Sequence, residues 1–227
     1  MIIALSGTPG TGKTTVCSII KEHSQYRKRF LIVDLNKLVF GEKLYTGIDE
    51  QRDAYEADMD KLEERVKQVI SQLPQGMDVI MEGHLSHFLP ADIIIVLRAE
   101  PVVLRKRLER RKVYSFNKIK ENADAEALDV ILVESCERSD KVFEINTTDI
   151  NPLAVVKSFI YIIESLKQGE IPKSYEPGKI NWIEQVEIYK LTASTSKNLQ
   201  KTCKAINGVT KDSIIAAKKR RGTILTR

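Results

Sequence analysis

The chain has little cysteine, and what it has is scattered. Cys17, Cys136 and Cys203 are odd in number and no CxxC or CxH spacing joins them. Neither a disulfide framework nor a cysteine-based zinc site is therefore expected, and reduced thiols in a cytoplasmic protein are. Long hydrophobic runs are also missing. The longest, "ADIIIVL" (residues 91–97), is far too short to cross a bilayer, so no membrane partner is expected. The opening "MIIALSG" has no basic stretch followed by a long apolar one, which argues against a secretory signal. No internal repeat and no low-complexity tract is present.

What is present is enough chain, 227 residues with 42% apolar and 30% charged, for one sizeable domain and an appendage. The formal charge of +5 is unevenly spread. Lys190–Arg227 carries ten Lys and Arg against the single acid Asp212, whereas the rest is mildly acidic. Clustered cations attract phosphate backbones, so this segment is a candidate RNA- or ribosome-facing surface; a merely solubilising tail is the plainer alternative. "LQKTCKAINGVTKDSIIAAKKR" can be read as a helix–turn–helix pair split at Asn207-Gly208.

Short apolar runs alternate with helical periodicity. Strands are expected at Ile2–Gly7, Phe30–Leu35, "MDVIME" (77–82), "ADIIIVLR" (91–98) and "KVFEIN" (141–146). Helices are expected after Lys13, over the charged stretch 49–73 as one helix or two, from Pro101, over 124–139, and from Pro152 to a stop at Gly169. The alternation predicts an α/β fold with a parallel sheet covered on both faces. "EIPKSYEPGKINW" (170–182) reads as an extended linker.

Gly7-Thr-Pro-Gly-Thr-Gly-Lys13-Thr14 matches GxxxxGK[ST], with a strand before it and a helix after it. Glycines allow backbone N–H groups to curl around phosphate oxygens, and the helix that follows points its positive end at the same anion. Lys13 is then expected at the β/γ-phosphates and the Thr14 hydroxyl at Mg²⁺. At the end of the third strand, "MEGHLSHFLP" (81–90) places Glu82 where P-loop proteins hold the metal's hydration shell. Asp is usual there; the longer Glu fits contact through a metal-bound water. His84 would lie near the terminal phosphate. A neutral ring there can orient an attacking water or hydroxyl, a protonated one can stabilise developing charge, and a purely local hydrogen bond is the third alternative. His87 is expected to be local structure. HxxH alone lacks a third zinc ligand.

Taken together, "GTPGTGKTT", "EGH", "FLPAD", "IIVLR", "VLRKRLERR", "KIKENADAEALDVILVE" and "EPGKINW" occur in order over about residues 1–182. In these motifs the chain resembles the adenylate kinase isoenzyme 6 family, P-loop proteins also described as ribosome-assembly NTPases, in an archaeal-type form. The resemblance implies a P-loop NTPase fold of the nucleoside monophosphate kinase type, with a five-stranded parallel sheet. It implies a kinase-like domain over residues 1–180, with a monophosphate-binding flap at about 36–59 and a lid at about 110–121; the basic extension over 181–227 is read from its charge and is not covered by the resemblance. ATP and Mg²⁺ would be the cofactors, with AMP or another nucleoside monophosphate as acceptor and ATPase activity beside the kinase reaction. A small-subunit ribosomal protein and rRNA would be partners through the basic extension.

By the same resemblance Gly10, Gly12, Lys13, Thr14 and Thr15 would bind ATP phosphates, Glu82 would be the Walker B acid, and His84 the family's functional histidine. Arg107 and Arg111 would be the lid-helix arginines. "RRKVY" is one residue longer than the usual form, which leaves Arg110 as the neighbouring alternative; a solvated helix face is the plain reading of the whole run. The chain departs from larger adenylate kinases at "EGHLS". Ser86 stands where their D-G-F-P-R carries an acceptor-gripping arginine, and "LNKLVFGEK" in the flap has no arginine either.

Overall fold

The structure is a computed structural model that describes residues 1–49, 54–72, 76–182 and 224–226. β1 (Ile2–Ser6) runs into the glycine loop, and α1 (Lys13–Glu22) begins inside the motif. β2 (Phe30–Asp34) leads directly to α2 (Leu35–Glu42), whose first turn is capped by the Asp34 carboxylate accepting from the Lys37 N–H at 3.0 Å. A hairpin follows, β3 (Tyr45–Asp49) antiparallel to β4 (Ala54–Ala57), and then α3 (Met59–Ser71). The expectation of helix throughout residues 49–73 is thus corrected. Asp58 caps α3 by accepting from the Lys61 N–H at 3.2 Å, and the helix starts only there. Ahead of it Tyr45, Tyr55 and Phe40 pack edge to face, with ring centroids 4.7 and 5.2 Å apart, a cross-strand cluster that outweighs the helical charge pattern.

β5 (Asp78–Glu82), a 3-10 turn at Ser86–Phe88 and β6 (Ile93–Arg98) come next, followed by α4 (Pro101–Glu109) with proline in its first turn. The helix expected over 124–139 is two helices, α5 (Phe116–Ala127) and α6 (Val130–Cys136). They break at Asp129, which adopts a left-handed φ of 53° and gives its carboxylate to Arg98. β7 (Val142–Asn146) and α7 (Pro152–Lys167) complete the domain.

The five apolar strands form a parallel sheet in the order β2-β5-β1-β6-β7, flanked by helices in the α/β P-loop architecture expected. Alternate residues of β1 supply separate cores. Ile3 and Leu5 pack with Val16 and Ile20 of α1 and Phe159 of α7, while Ala4 on the opposite face packs with Val39 of α2, Leu62 of α3 and Leu132 of α6. Burial on both faces is why these strands read as unbroken apolar runs. In this all-parallel sheet the carboxyl ends of the five strands lie along one edge, and β1, between β5 and β6, runs into the glycine loop at that edge.

Residues 170–182, read as a linker, instead pack on the domain. Tyr175 reaches the Ser158 hydroxyl at 3.0 Å, the N–H groups of Lys179 and Ile180 donate to Glu144, and Trp182 is buried. β8 (Ile224–Thr226) pairs antiparallel with β4, placing Leu225 opposite Tyr55. The helix–turn–helix reading around Asn207-Gly208 lies outside the described residues. Among the described residues no helix is long and apolar enough to cross a membrane.

Candidate active site

The loop from Gly7 to Thr14 leaves β1 at the carboxyl edge of the sheet. Gly7 has φ 136°, and a Cβ there would stand 2.4 Å from the Leu97 carbonyl of β6; Gly10, at φ 94°, would push a Cβ to 2.9 Å from Leu104 of α4. Both positions therefore need glycine, one for the close approach of two backbones and one for packing beneath α4. The Thr11 hydroxyl donates to the Thr8 carbonyl at 2.8 Å and closes the turn. Gly12 is the N-cap of α1 and supplies no side chain to cap it, so the first N–H groups of the helix stay available for an anion.

Lys13 is 8% exposed, and its ammonium donates to the Gly7 and Thr8 carbonyls at 2.6 and 3.1 Å. Burial lowers its pKa from 10.5 to about 8, against the opposing pull of Glu82 and Glu126. Beside it the Thr14 hydroxyl donates to Glu82 Oε1 at 2.8 Å. Glu82 ends β5, in register with Leu5 of β1 and Asp34 of β2, so the parallel sheet itself sets this acid next to the first turn of α1. An oxygen pair of this kind, a hydroxyl and a carboxylate beside a phosphate loop, suits a hard divalent cation.

A cleft of about 320 Å³ opens beside the loop. Gly10, Gly12 and Thr15 form one wall, and Arg107, Arg110 and Arg111 form a second. Arg107 is held by β7's end: it donates to the Thr147 hydroxyl at 3.2 Å and to the Thr147 carbonyl at 2.6 Å. Burial lowers its pKa, with Asp149 opposing and Arg111 adding to the effect. Arg110, the alternative to Arg111, lines the same cleft.

The histidines part company. His87 is buried, with Nδ1 2.9 Å from the Ser6 hydroxyl and Nε2 3.2 Å from Glu134. Burial lowers its pKa and favours the neutral ring, against the opposing pull of Glu134. Both ring nitrogens are thus engaged in local structure. His84 is half-buried, two residues past Glu82, and its carbonyl accepts from Ser6 Oγ at 3.3 Å; it does not line the cleft.

Residues 3–129 match the protein family described as "AAA domain". Curated relatives share far more of the chain. A protein named "Putative adenylate kinase" from Methanosarcina acetivorans is 44% identical over 191 residues, 82% of this chain and 100% of that protein. Proteins of the same name from Methanococcus maripaludis and Thermococcus onnurineus are 39% and 38% identical, covering 81% and 82% of this chain and 96% and 94% of their own lengths. The chain belongs to this adenylate kinase-like family. Among solved structures, shikimate kinase from Bacteroides thetaiotaomicron is similar with a TM-score of 0.47 at 18% identity, over 72% of this chain and 98% of that one.

Within this adenylate kinase-like site, several residues carry no motif. Thr147 is the clearest. Its hydroxyl lies 3.0 Å from the Thr11 carbonyl and 2.9 Å from the Arg98 carbonyl, and its N–H donates to Arg98 O at 2.8 Å. Ile150, Pro152 and Val155 form the apolar side of the cleft. One signal could have found Thr147: polar residues just past the carboxyl end of a buried parallel strand lie at the crevice. Thr8 and Glu126 were also missed. The Thr8 hydroxyl donates to Glu126 Oε2 at 2.5 Å across 118 residues of chain. Ser86, where larger adenylate kinases carry arginine, is fully buried, and its hydroxyl has no hydrogen-bond partner among the described residues.

Proposed function

We propose that the chain is an ATP-dependent nucleoside monophosphate kinase of the adenylate kinase isoenzyme 6 type, converting ATP and AMP to two ADP and hydrolysing ATP when water takes the acceptor's place. The observation that carries this reading is the 2.8 Å contact of Thr14 with Glu82 next to a lysine buried in a glycine loop. These are the groups a magnesium-bound triphosphate requires, drawn together from distant parts of the chain. Gly10, Gly12 and Thr15 would cradle the phosphates. Thr14 and Glu82 would hold Mg²⁺, Glu82 through a water. The metal, when bound, neutralises charge on the β- and γ-oxygens.

The remaining work falls to side chains. Lys13 and Arg111, with Arg107 once turned from Thr147, would stabilise charge on the migrating phosphoryl group, and His84 would orient the attacking hydroxyl or water. Catalysis is then positioning plus electrostatics. The flap would span residues 36–59 and the lid about 110–121, in a kinase-like domain ending near residue 180. The expected product is ADP, measured from ATP and Mg²⁺ with each nucleoside monophosphate in turn. Turnover that no monophosphate stimulates would refute the kinase reading.

One observation favours a second role. The buried Ser86 cannot grip an acceptor phosphate, and the flap stretch "LNKLVFGEK" (35–43) carries no arginine in its place. Weak acceptor binding fits an ATPase that serves maturation of the small ribosomal subunit in the cytoplasm, with residues 181–227 meeting rRNA or a ribosomal protein. Stimulation of ATP turnover by small-subunit rRNA, and not by AMP, is the result that would favour it.

A further inference from the structure

Beside the phosphate loop lies a buried ion network whose one link to the chemistry above is the charge of Glu126 near Lys13. Arg98, at the end of β6, is 1% exposed. Its Nε donates to Glu126 Oε1 at 2.8 Å and its Nη1 to Glu144 Oε2 at 3.1 Å, and Asp129 takes Nη2. Burial pulls the guanidinium's pKa down, and Glu126 and Asp129 outweigh that, leaving it above its ordinary value. Each glutamate has a second oxygen facing away from Arg98. Glu126 Oε2 accepts from the Thr8 hydroxyl of the phosphate loop. Glu144 Oε1 accepts from the N–H groups of Lys179 and Ile180 at 2.7 and 2.9 Å. An unbroken line of hydrogen bonds therefore runs from the loop, through Glu126, Arg98 and Glu144, to the seat of residues 179–180. Two residues later Trp182 is buried, and the basic extension begins.

We propose that Glu126 is a positioning residue for the phosphate loop, and that Arg98 and Glu144 couple the loop to the seat of residues 179–182. Stability alone is a weak reason for such a network, because a well-packed apolar set of the same volume is often as stable. Position is a better one. Thr8 is 2% exposed and does not line the cleft, and its hydroxyl is bonded to Glu126, so that bond constrains the loop away from the cleft. A shift of the loop on nucleotide binding would move Glu126, re-aim Arg98 and change the acceptor that holds residues 179 and 180. By reciprocity, whatever engages the extension would change nucleotide affinity by the same factor. The inference rests on the reading of the loop as a nucleotide site.

Trp182 is the sole tryptophan of the chain and does not line the cleft, so its emission reports the seat and not the ligand. The test compares the full chain with Thr8→Val, which keeps the shape and removes the donor, with Thr8→Ser, which keeps the donor, and with Glu144→Gln at the far end. ATP with Mg²⁺ is the probe. In the unaltered chain nucleotide is expected to shift Trp182 emission. Thr8→Val should abolish that shift and weaken nucleotide affinity about five- to tenfold, Thr8→Ser should restore both, and Glu144→Gln should weaken affinity about threefold although it touches no ligand. A purely structural tie would lower the unfolding temperature and leave affinity and the nucleotide-induced shift alone. If the unaltered chain binds nucleotide with no change in Trp182, or Thr8→Val and Glu144→Gln bind as tightly as it does, the coupling is refuted. If the unaltered chain binds no nucleotide, the site reading fails instead.

Discussion

Lys13 makes the proposed site testable through its proton. Its pKa in the folded chain is lowered from 10.5 to about 8, chiefly by burial, which corresponds to about 3 kcal/mol in favour of the neutral amine. A polyphosphate placed against Nζ adds the opposite charge at contact distance and would return the group to its charged form. Binding therefore takes up a proton. With a pKa near 8, about a tenth of the sites are neutral at pH 7 and about three quarters at pH 8.5, so uptake should rise from ~0.1 to ~0.75 protons per nucleotide. Affinity should fall about tenfold between pH 7 and pH 9.

Stability moves the other way. A depressed folded-state pKa means the unfolded chain binds more protons, so the Lys13 contribution is present above 10.5 and is lost as pH falls through about 8. The assay is titration calorimetry of ADP in buffers of differing ionisation enthalpy, at both pH values, with Lys13→Met as the subtraction control for the terminal amine and other groups. Equal proton uptake at the two pH values, or an uptake that Lys13→Met retains, would refute the argument.

Three other outcomes are expected. Arg98→Met strands the buried Glu126 and Glu144 carboxylates and should cost about 3–5 kcal/mol in urea unfolding; a loss below about 1 kcal/mol would mean the network is relieved by water. Gly7→Ala forces a Cβ to 2.4 Å from the Leu97 carbonyl at φ 136° and should lower stability by at least ~2 kcal/mol, with near-native thermal unfolding as the contrary result. His84→Ala should reduce turnover by about 10²-fold while changing ATP affinity little; parallel loss of both would assign the ring to binding.

What the sequence determined by itself was local. GxxxxGK[ST] located the phosphate loop because its geometry depends on backbone freedom within eight consecutive residues. The parallel strands were legible because sheets covered on both faces demand unbroken apolar runs, and the cap and proline signals marked α4 and α7. The pattern failed where partners are remote. Residues 49–73 carry a helical charge pattern, yet Ala54–Ala57 form a strand beside Tyr45–Asp49, with Tyr45, Tyr55 and Phe40 packed together. The extended reading of 170–182 had no means of foreseeing that Glu144 would accept two of its N–H groups. Sequence motifs set both Thr14 and Glu82 at one expected cation, but no such signal foretold that Thr8 meets Glu126 across 118 residues or that Thr11 meets Thr147 across 136. Only the tertiary structure decided these, because a side chain's partner across a parallel sheet depends on strand order and register, which leave no periodic mark near either residue.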